Sequence, residues 1–301
     1  MTDTPLVIVV VGPTAVGKTK VAIQIAQQFQ TEIISADSRQ FYRQLQIGTA
    51  KPSPAELNLV KHHFIGNLDI EQDYNISKYE VEALQCADVL FKTHHSIVLV
   101  GGSGLYIDAF CKGIDVLPDP DLQLRSELKE KLINQGIESL RLDLKTLDPD
   151  YYATVDLANP NRIMRALEVI LQTGTPYSQL RKQQKAPRSF KVCKIGLMLP
   201  REEIHDLINH RVDIMMRNGI LKEAGQLFPH RHLNALNTVG YKELFSYLEG
   251  NIPLLKAKEA IKTNTRRYAK RQLTWFHKDK EIRWFSPFDL ENIFNYIKEF
   301  D

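Results

Sequence analysis

A glycine-rich segment near the start of the chain has the residue types and spacing to bind phosphate. Residues 12–19 read GPTAVGKT and fit the pattern G-x-x-x-x-G-K-[ST], in which backbone N–H groups surround phosphate oxygens. Lys18 adds a full positive charge, and the hydroxyl group of Thr19 suits a phosphate-bound Mg²⁺ ion. The predicted site for a di- or triphosphate consists of Gly12, Pro13, Thr14, Ala15, Val16, Gly17, Lys18 and Thr19.

Two elements must hold this segment in place. The apolar run LVIVVV at residues 6–11 predicts a buried strand that leads into it. Apolar Val21, Ile25 and Phe29 recur at helical spacing and predict a helix that leads out of it. This strand–loop–helix order is the setting that the phosphate-binding pattern requires, and the N-terminus of the helix adds partial positive charge.

Strands and helices alternate through the first third of the chain. Residues 32–36 and 97–100 predict two further strands, with helical patterns between them. This alternation predicts an α/β fold with a doubly wound parallel sheet, as in the P-loop NTPases. Because ligands of such sheets lie beyond the carboxyl ends of the strands, we expect residues 12–19, Asp37 and Ser103 at one edge.

The alternation stops between Pro118 and Gly174, where only helical patterns occur. We expect a small helical insertion domain at residues 118–187, within a catalytic core formed by residues 1–117 and 188–301. Strand character returns after the insertion, so the sheet resumes there. The other expected segments are a strand at 62–66, a helix at 77–93 capped by Ser77, helices at 121–135, 137–147 and 162–171, a strand at 191–199, helices at 201–218, 221–228, 240–249 and 254–277, a strand at 282–285 and a closing helix.

Positive charge is concentrated near the end of a chain whose net charge is only +3. Residues 256–284 contain ten Lys and Arg residues against three acids. Lys262, Arg266 and Lys270 recur every fourth residue of the predicted helix, which favours an exposed basic face that binds a phosphate backbone. A solvated surface is the alternative. Tyr268 lies elsewhere on this helix and is expected to pack on the core.

Composition bounds the class of protein. A hydrophobic content of 43% is enough for a buried core, and the sequence shows neither a signal peptide nor an apolar run long enough to span a bilayer. The three cysteines, Cys86, Cys111 and Cys193, are scattered without C-x-x-C spacing, which predicts reduced thiols and no zinc site. We therefore expect a cytoplasmic protein.

Three functions are open to Asp37 at the expected sheet edge. A carboxylate there can hold Mg²⁺, act as a general base towards an acceptor beside the phosphate, or cap the following turn. The usual second carboxylate of an NTPase follows an apolar strand directly. Here the strand at 97–100 is followed by Gly101, Gly102 and Ser103, which weakens the phosphoryl-transfer interpretation.

Six blocks of the sequence together resemble the bacterial tRNA dimethylallyltransferases, in the same order and over nearly the whole chain. The resemblance implies transfer of a dimethylallyl group from its diphosphate to the exocyclic amine of the adenosine just 3′ of the anticodon, with release of pyrophosphate. Residues 12–19 would then hold an allylic diphosphate, and no nucleoside triphosphate would be consumed. The blocks are GPTAVGKT (12–19), ADSRQFYRQLQIGTAKP (36–52), VGGSGLYI (100–107), NRIMRALEV (161–169), TVGYKE (238–243) and TRRYAKRQLTWF (265–276).

The resemblance also implies roles for single residues. Asp37 matches the aspartate that accepts the amine proton, and Ser103 matches a Thr or Ser that bonds to the acceptor base. Arg211 matches an arginine that contacts the leaving diphosphate, although its pattern alone would favour a solvated helix face. Lys18, Thr19, Mg²⁺ and the loop amides can neutralise the charge on pyrophosphate. The expected tRNA contacts are Asp37, Ser38, Arg39, Gln40, Ser103, Arg125, Asn161, Arg162, Ile163, Met164, Arg165, Lys262, Arg266 and Lys270.

Three alternatives remain open at this point. An adenylate dimethylallyltransferase acting on free AMP would keep residues 12–19 and Asp37 but would have little need of an insertion or a basic helix. A nucleoside or small-molecule kinase, or an RNA-bound NTPase, would require a triphosphate. A non-catalytic RNA-binding module would leave GPTAVGKT unexplained. For the transferase we expect a monomer whose partners are dimethylallyl diphosphate and tRNA, the latter bound through its anticodon stem-loop.

Overall fold

The structure of the chain is a computed structural model that describes residues 4–115, 117–181 and 187–300. Within these ranges, no helix combines the length and the apolar character that crossing a membrane requires. The predicted domain ranges include some residues that lie outside the described part of the chain, namely 1–3, 116, 182–186 and 301.

The chain divides into two compact units. The first comprises Met1–Cys111 together with Pro187–Asp301, and the second comprises Lys112–Ala186. The second unit therefore begins before Pro118, where the helical insertion was expected to begin. The boundary coincides with the end of the helix Gly104–Lys112, so the chain leaves the first unit where this helix ends and not at the following proline.

One parallel sheet forms the centre of the first unit. The described residues form six strands: β1 (Leu6–Val11), β2 (Ile33–Ser35), β3 (His62–His63), β4 (Ser96–Val100), β5 (Lys191–Leu197) and β6 (Arg283–Phe285). Their order across the sheet is β3-β2-β4-β1-β5-β6, so β1 lies between β4 and β5. All adjacent strands are parallel, and Val9 is in register with Leu99 on one side and with Lys194 on the other.

Helices cover both faces of this sheet, which confirms the predicted doubly wound α/β fold. The helices of the described residues are α1 (Lys18–Gln28), α2 (Pro54–Leu59), α3 (Ile76–Leu90), α4 (Gly104–Lys112), α5 (Leu122–Leu147), α6 (Pro149–Tyr152), α7 (Pro160–Thr173), α8 (Tyr177–Leu180), α9 (Arg201–Arg217), α10 (Ile220–Leu227), α11 (Tyr241–Leu248), α12 (Leu254–Phe276) and α13 (Leu290–Lys298).

The sheet is buried on both faces because its central strands are continuous apolar runs. Leu6, Ile8 and Val10 of β1 face a cluster to which α1 and α13 contribute. Val7 and Val9 face the opposite cluster, which contains residues of α3 and α4. The alternation follows from the pleat of the strand, in which successive side chains point to opposite faces. The sheet edge that carries the site is therefore held by packing on both sides.

The second unit is built around α5 and α7, which pack against each other. Gly136 interrupts α5 with φ 76° and ψ 176°, in agreement with the two helical segments predicted at 121–135 and 137–147. Leu140 of α5 and Leu167 of α7 share one buried apolar cluster. The high fraction of apolar positions on one side of α7 is what gives this unit a core of its own.

The largest difference from the predicted helix boundaries concerns α3. This helix begins at Ile76, and the side chain of Asn75 accepts a hydrogen bond from the backbone N–H of Lys78 at 2.9 Å. The predicted cap at Ser77 is wrong, because Asn75 has the extended backbone that an N-cap requires and Ser77 lies inside the first turn. The helix also ends earlier than predicted, at Leu90.

Replacing Asn75 with Ala should lower the free energy of unfolding by about 1 kcal/mol, because the N–H group of Lys78 loses its acceptor. The control Ser77→Ala should change it by less than about 0.5 kcal/mol. Chemical denaturation of both variants measures the difference. A larger loss of stability in Ser77→Ala than in Asn75→Ala would contradict this assignment of the cap.

Candidate active site

Residues 12–19 form a loop between the carboxyl end of β1 and the start of α1. A glycine is required at Gly12, because its φ is 146° and a Cβ atom there would lie 2.6 Å from the carbonyl oxygen of Leu197. Gly17 occupies the N-cap position of α1 in a left-handed conformation and has no side chain that could cap the helix. The first N–H groups of α1 have no side-chain cap and are available to an anion, as in other phosphate-binding loops.

The ammonium group of Lys18 lies beneath this loop. Its Nζ donates to the carbonyl oxygens of Gly12 at 3.0 Å and Pro13 at 2.8 Å. Burial lowers the pKa of Lys18 to about 7; Asp37 opposes this shift and Arg211 adds to it. An anionic ligand at the loop would stabilise the charged form of Lys18, so the ligand and a proton are expected to bind together.

Two cavities meet at the loop. The phosphate pocket has a volume of about 300 Å³ and is lined by loop residues that include Lys18 and Thr19. The acceptor pocket has a volume of about 470 Å³ and extends to α12. A ligand in one pocket would lie directly beside a ligand in the other, because the two share part of their walls. The residues that line both are Thr14, Asp37, Thr49, Ala50 and Arg211.

Asp37 lies just past the carboxyl end of β2, where the two pockets meet. Its Oδ1 accepts a hydrogen bond from the backbone N–H of Arg39 at 3.0 Å, so the carboxylate closes a turn. A carboxylate has two oxygens, and Oδ2 can still accept a proton or contact a metal ion. The interpretations of Asp37 as a cap and as a general base are therefore compatible in this geometry.

Ser103 follows β4 and lies beside the residues that follow β2. Its Oγ accepts a hydrogen bond from the backbone N–H of Ser38 at 3.1 Å. Ser103 itself is not among the residues that line either pocket. Tyr268 of α12 lines the acceptor pocket, so the expectation that it packs on the core is wrong. Burial raises the pKa of Tyr268, nearby Asp37 raises it further, and hydrogen bonding to Ser103 opposes the shift. The phenol therefore remains a hydrogen-bond donor at neutral pH.

Arg211 projects from α9 and lines both pockets. Its Nη1 donates to Oγ1 of Thr14 at 3.4 Å. Burial lowers the pKa of Arg211, against the opposing effects of Glu56 and Asp37, although a guanidinium group stays charged in any case. The alternative interpretation, in which Arg211 lies on a solvated helix face, is wrong. A buried guanidinium beside the loop is suited to an anionic ligand.

A buried amide, which the sequence analysis missed, completes the loop. Oε1 of Gln272 accepts from the backbone N–H of Thr14 at 2.8 Å, and its Nε2 donates to the carbonyl oxygen of Gly102 at 2.9 Å. A Cβ atom at Gly102 would lie 2.2 Å from that Nε2, so a larger residue there would displace the amide. Gln272 lies on the buried stripe of α12 with Ala269 and Phe276. A polar residue on an apolar stripe is the sequence signal that could have identified it.

The side chains of Arg39 and Gln40 make contacts within the protein. The guanidinium group of Arg39 donates to the carbonyl oxygens of Asn234 at 2.8 Å and Ala235 at 3.2 Å. The amide of Gln40 donates to the carbonyl oxygen of Thr49 at 3.1 Å. Both side chains thus fasten loops around the pockets, and their contact with tRNA stays a prediction.

The exposed basic face predicted for α12 is wrong for two of its three residues. Asp213 of α9 accepts from Lys262 at 3.1 Å and from Lys258 at 2.8 Å. The guanidinium group of Arg266 donates to Oδ1 of Asn209 at 2.7 Å. The physical reason is that α9 packs alongside α12 and supplies the acid that the local sequence lacks. Lys270 is exposed, as expected.

A different cation of α12 lies at the acceptor pocket. Arg271 is exposed and lines this pocket, and its guanidinium carbon lies 5.7 Å from the ring centre of Tyr268. Arg267 is also exposed. Of these two arginines only Arg271 lines the acceptor pocket, and none of Lys262, Arg266 and Lys270 does. The signal was present in the sequence as a second basic column, 267 and 271, beside the first.

In the second unit, one buried carboxylate holds two of the predicted tRNA contacts. Glu168 of α7 is 1% exposed and pairs with Arg125 at 3.1 Å and with Arg165 at 3.2 Å. The side chains of Ile163 and Met164 are buried in the core of this unit, so the prediction that they contact tRNA is wrong for these side chains. The neighbouring predicted contacts Asn161 and Arg162 are exposed.

The donor groups of the phosphate pocket fit a magnesium ion that is held mainly by its ligand. Thr19 and Asp37 both line this pocket and offer a hydroxyl and a carboxylate oxygen. In the described part of the chain, no group of three or more His, Cys, Asp or Glu residues could hold a metal by itself. Mg²⁺ commonly takes one or two protein ligands and completes its shell with phosphate oxygens and water. The pocket therefore fits Mg²⁺ bound together with a diphosphate.

Comparison with known proteins gives one consistent family. The model of the family "IPP transferase" matches residues 40–279. The tRNA dimethylallyltransferase of Christiangramia forsetii is 51% identical over 291 residues, which are 96% of this chain and 96% of that protein. The tRNA dimethylallyltransferase 1 of Bacteroides fragilis is 48% identical over 291 residues, 97% of each chain.

Solved structures agree with this result. The full-length tRNA isopentenylpyrophosphate transferase of Bacillus halodurans superposes with a TM-score of 0.73 at 35% identity, covering 99% of this chain and 97% of that chain. A eukaryotic dimethylallyltransferase acting on tRNA superposes with a TM-score of 0.79, covering 98% of this chain and 77% of that one. Its identity is 24%, so this second likeness concerns the fold alone.

Replacing Gln272 with Leu should disturb the loop without changing its sequence. Two buried polar groups, the N–H of Thr14 and the carbonyl of Gly102, would lose their partners, so we expect a loss of about 2 kcal/mol in the free energy of unfolding. We also expect pyrophosphate to bind about tenfold more weakly, because the loop is no longer held in place. Denaturation and calorimetric titration measure the two effects.

The matched control is Gln226→Leu, the same substitution at an exposed position of α10, which should change neither quantity. Gln272→Glu separates the two hydrogen bonds, since a carboxylate keeps the acceptor for Thr14 but loses the donor to Gly102. A folded Gln272→Leu protein with unchanged pyrophosphate affinity would show that the amide does not position the loop.

Proposed function

This chain belongs to the IPP transferase family of tRNA dimethylallyltransferases, and we propose that it prenylates tRNA. It transfers a dimethylallyl group from dimethylallyl diphosphate to the exocyclic amine of the adenosine 3′-adjacent to the anticodon. The observation that supports this proposal is the shared wall between the phosphate pocket and the acceptor pocket, at which Asp37 lies. One pocket suits a diphosphate, and the other is large enough for a nucleobase.

The transfer breaks the allylic carbon–oxygen bond and forms a carbon–nitrogen bond. The amine loses one proton, which Asp37 accepts, and the electron pair of the broken bond leaves with pyrophosphate. The loop amides, Lys18 and Arg211 face the leaving group and neutralise the charge that develops on it. Mg²⁺ bound at Thr19 would supply further positive charge to the same oxygens.

The acceptor pocket must hold an adenine that has left the base stack of the anticodon loop. Tyr268 offers a hydroxyl group in this pocket near Asp37, and its hydrogen bond to Ser103 can hold that hydroxyl group in place to orient the base. Arg271 lies at the same pocket and is exposed, so it can contact the phosphate backbone next to the flipped nucleotide. We assign the cytoplasm as the compartment because the acceptor is tRNA.

The geometry argues against a kinase or another NTPase. The second carboxylate of such an enzyme would follow β4, but two glycines stand there. A Cβ atom at Gly101 would lie 2.2 Å from the carbonyl oxygen of Ala36, and one at Gly102 would meet Gln272. There is therefore no space for an acidic side chain at position 101, and one at position 102 would displace the amide of Gln272. Free AMP as the acceptor would leave Arg271 and the arginines of the second unit without a phosphate backbone to bind.

Replacing Asp37 with Asn tests the proposed base. Asparagine keeps an oxygen that can accept from the N–H of Arg39, so the turn is preserved while the proton acceptor is lost. We expect turnover of dimethylallyl diphosphate with unmodified tRNA, measured by nucleoside mass analysis, to fall at least about a hundredfold. The affinity for tRNA and the free energy of unfolding should stay nearly unchanged.

The control is Glu71→Gln, which removes an exposed carboxylate elsewhere on the first unit. Full turnover by Asp37→Asn would show that the carboxylate serves only the turn. If the parent protein forms no prenylated adenosine but hydrolyses ATP in the presence of tRNA, the proposed function itself is wrong.

Replacing Arg271 with Ala should weaken tRNA binding and flatten its salt dependence by about one unit of slope, because one phosphate contact is lost. Lys262→Ala is the matched comparison on the same helix. Lys262 is 14% exposed and paired with Asp213, so the slope should change less. Filter binding at several salt concentrations measures both. An equal or larger effect of Lys262→Ala would restore the basic face expected from the sequence.

A further inference from the structure

The basic column of α12 borders a second cavity that the proposed reaction does not use. Lys270 follows Tyr268 by two residues, which places it about 200° further round the helix, away from the acceptor pocket. On that side lies a cavity of about 840 Å³, the outer groove, between α9, α12 and the end of β6. Its floor consists of Met198, Leu199, Ile204, Ala269, Leu273 and Phe285.

The floor of the outer groove suits a flexible aliphatic ligand better than a nucleobase. Most of its side chains are aliphatic, and an unstacked base would require an open aromatic face. The indole of Trp284 also lines the groove, but its ring packs against His277 with a centroid distance of 4.4 Å. Met198 of the floor remains 42% exposed, so the apolar surface of the groove is accessible from solvent.

The rim of the groove is cationic. Arg201, Arg266, Arg267 and Lys270 line it, and no Asp or Glu is present among the described residues that do so. In the same part of the chain, neither Arg201 nor Lys270 forms an ion pair, whereas Lys258 and Lys262 are paired with Asp213 outside the groove. A ligand that matches several cations must carry more than one negative charge, which a fatty acid does not.

The groove lies directly behind the phosphate loop. Ala15 of the loop and Leu199 of the groove pack against the same small cluster, which contains Ile204, Ile208 and Ala269. A chain bound in the groove would therefore contact residues that support the loop from behind. The volume is also far larger than that of the phosphate pocket, and it lies within the range of about 300–1,000 Å³ that small-ligand sites in proteins occupy.

We propose that the outer groove binds a prenyl diphosphate with a chain longer than five carbons, with the chain on the aliphatic floor and the diphosphate on the cationic rim. This site is separate from the transfer reaction: it can exist in a protein that prenylates nothing, and prenyl transfer can proceed without it. Through Ala15, a ligand bound in the outer groove would change the affinity of the loop for dimethylallyl diphosphate. Lys270 thereby acquires a partner other than the tRNA expected from sequence.

The test uses farnesyl diphosphate as the probe and equilibrium dialysis of the full chain. Met198→Asp places a carboxylate on the floor, and Lys270→Glu reverses one charge on the rim; each should raise the dissociation constant at least about tenfold. The matched controls Leu255→Asp and Lys256→Glu are exposed positions of α12 outside the groove and should leave it within about twofold. Lys18→Ala, which weakens the loop site, should retain groove binding.

Two further ligands separate the contributions of chain and charge. Farnesol lacks the diphosphate and inorganic pyrophosphate lacks the chain. Each should therefore compete less strongly with labelled farnesyl diphosphate than unlabelled farnesyl diphosphate does. Three outcomes would overturn the proposal. One is that Lys18→Ala abolishes all binding of farnesyl diphosphate while the groove variants bind it as tightly as the parent protein. Another is farnesol binding as tightly as the diphosphate. The third is self-association of the parent protein that Met198→Asp abolishes, which would assign the groove to a second copy of the chain.

Discussion

One side-chain amide joins the three elements on which the site depends. Gln272 of α12 bonds to the N–H of Thr14 in the loop after β1 and to the carbonyl of Gly102 in the turn after β4. Because α12 also carries Tyr268 and Arg271, the seating of this helix fixes the walls of both pockets at once. A side chain at position 102 would have to displace the amide of Gln272 from this hydrogen bond, because its Cβ atom would lie 2.2 Å from Nε2.

The electrostatics of the site are arranged around an anion. Lys18 and Arg211 are both cations whose pKa values are lowered, first by burial, and Asp37 is the acid that acts on both. Before a ligand binds, this part of the protein has more positive than negative charge in a poorly solvated place. A diphosphate supplies the missing charge. The desolvation cost of burying these cations is thus offset on binding by their attraction to the diphosphate. The same preorganised donors then stabilise the charge that develops on the leaving group.

The structural features that could be predicted from the sequence are those set by residues adjacent in the chain. The features that were missed depend on side chains from distant parts of the chain. The loop at 12–19, the strands that are continuous apolar runs and the interruption of α5 at Gly136 each follow from a few adjacent residues. The states of Lys262 and Arg266 depend on Asp213 and Asn209, which belong to another helix and have no trace in the local spacing. Tyr268 was assigned to the core because a helical pattern gives the position of a residue around the helix axis. It does not tell whether that side of the helix faces the core or a pocket.

The order of the strands has a consequence for how the protein is made. β1 and the phosphate loop are synthesised before the other strands, but β1 lies between β4 and β5 in the sheet, and β5 follows the whole second unit in the chain. The hydrogen bond between Gln272 and the loop forms later still, because Gln272 lies on α12, 258 residues after Thr14 in the sequence. A growing chain thus carries an unfinished phosphate site, with one apolar strand edge unpaired, through most of its synthesis. The hydrogen bonds of Gln272 that hold the loop can form only after α12 has been synthesised, so they contribute nothing to the early steps of folding.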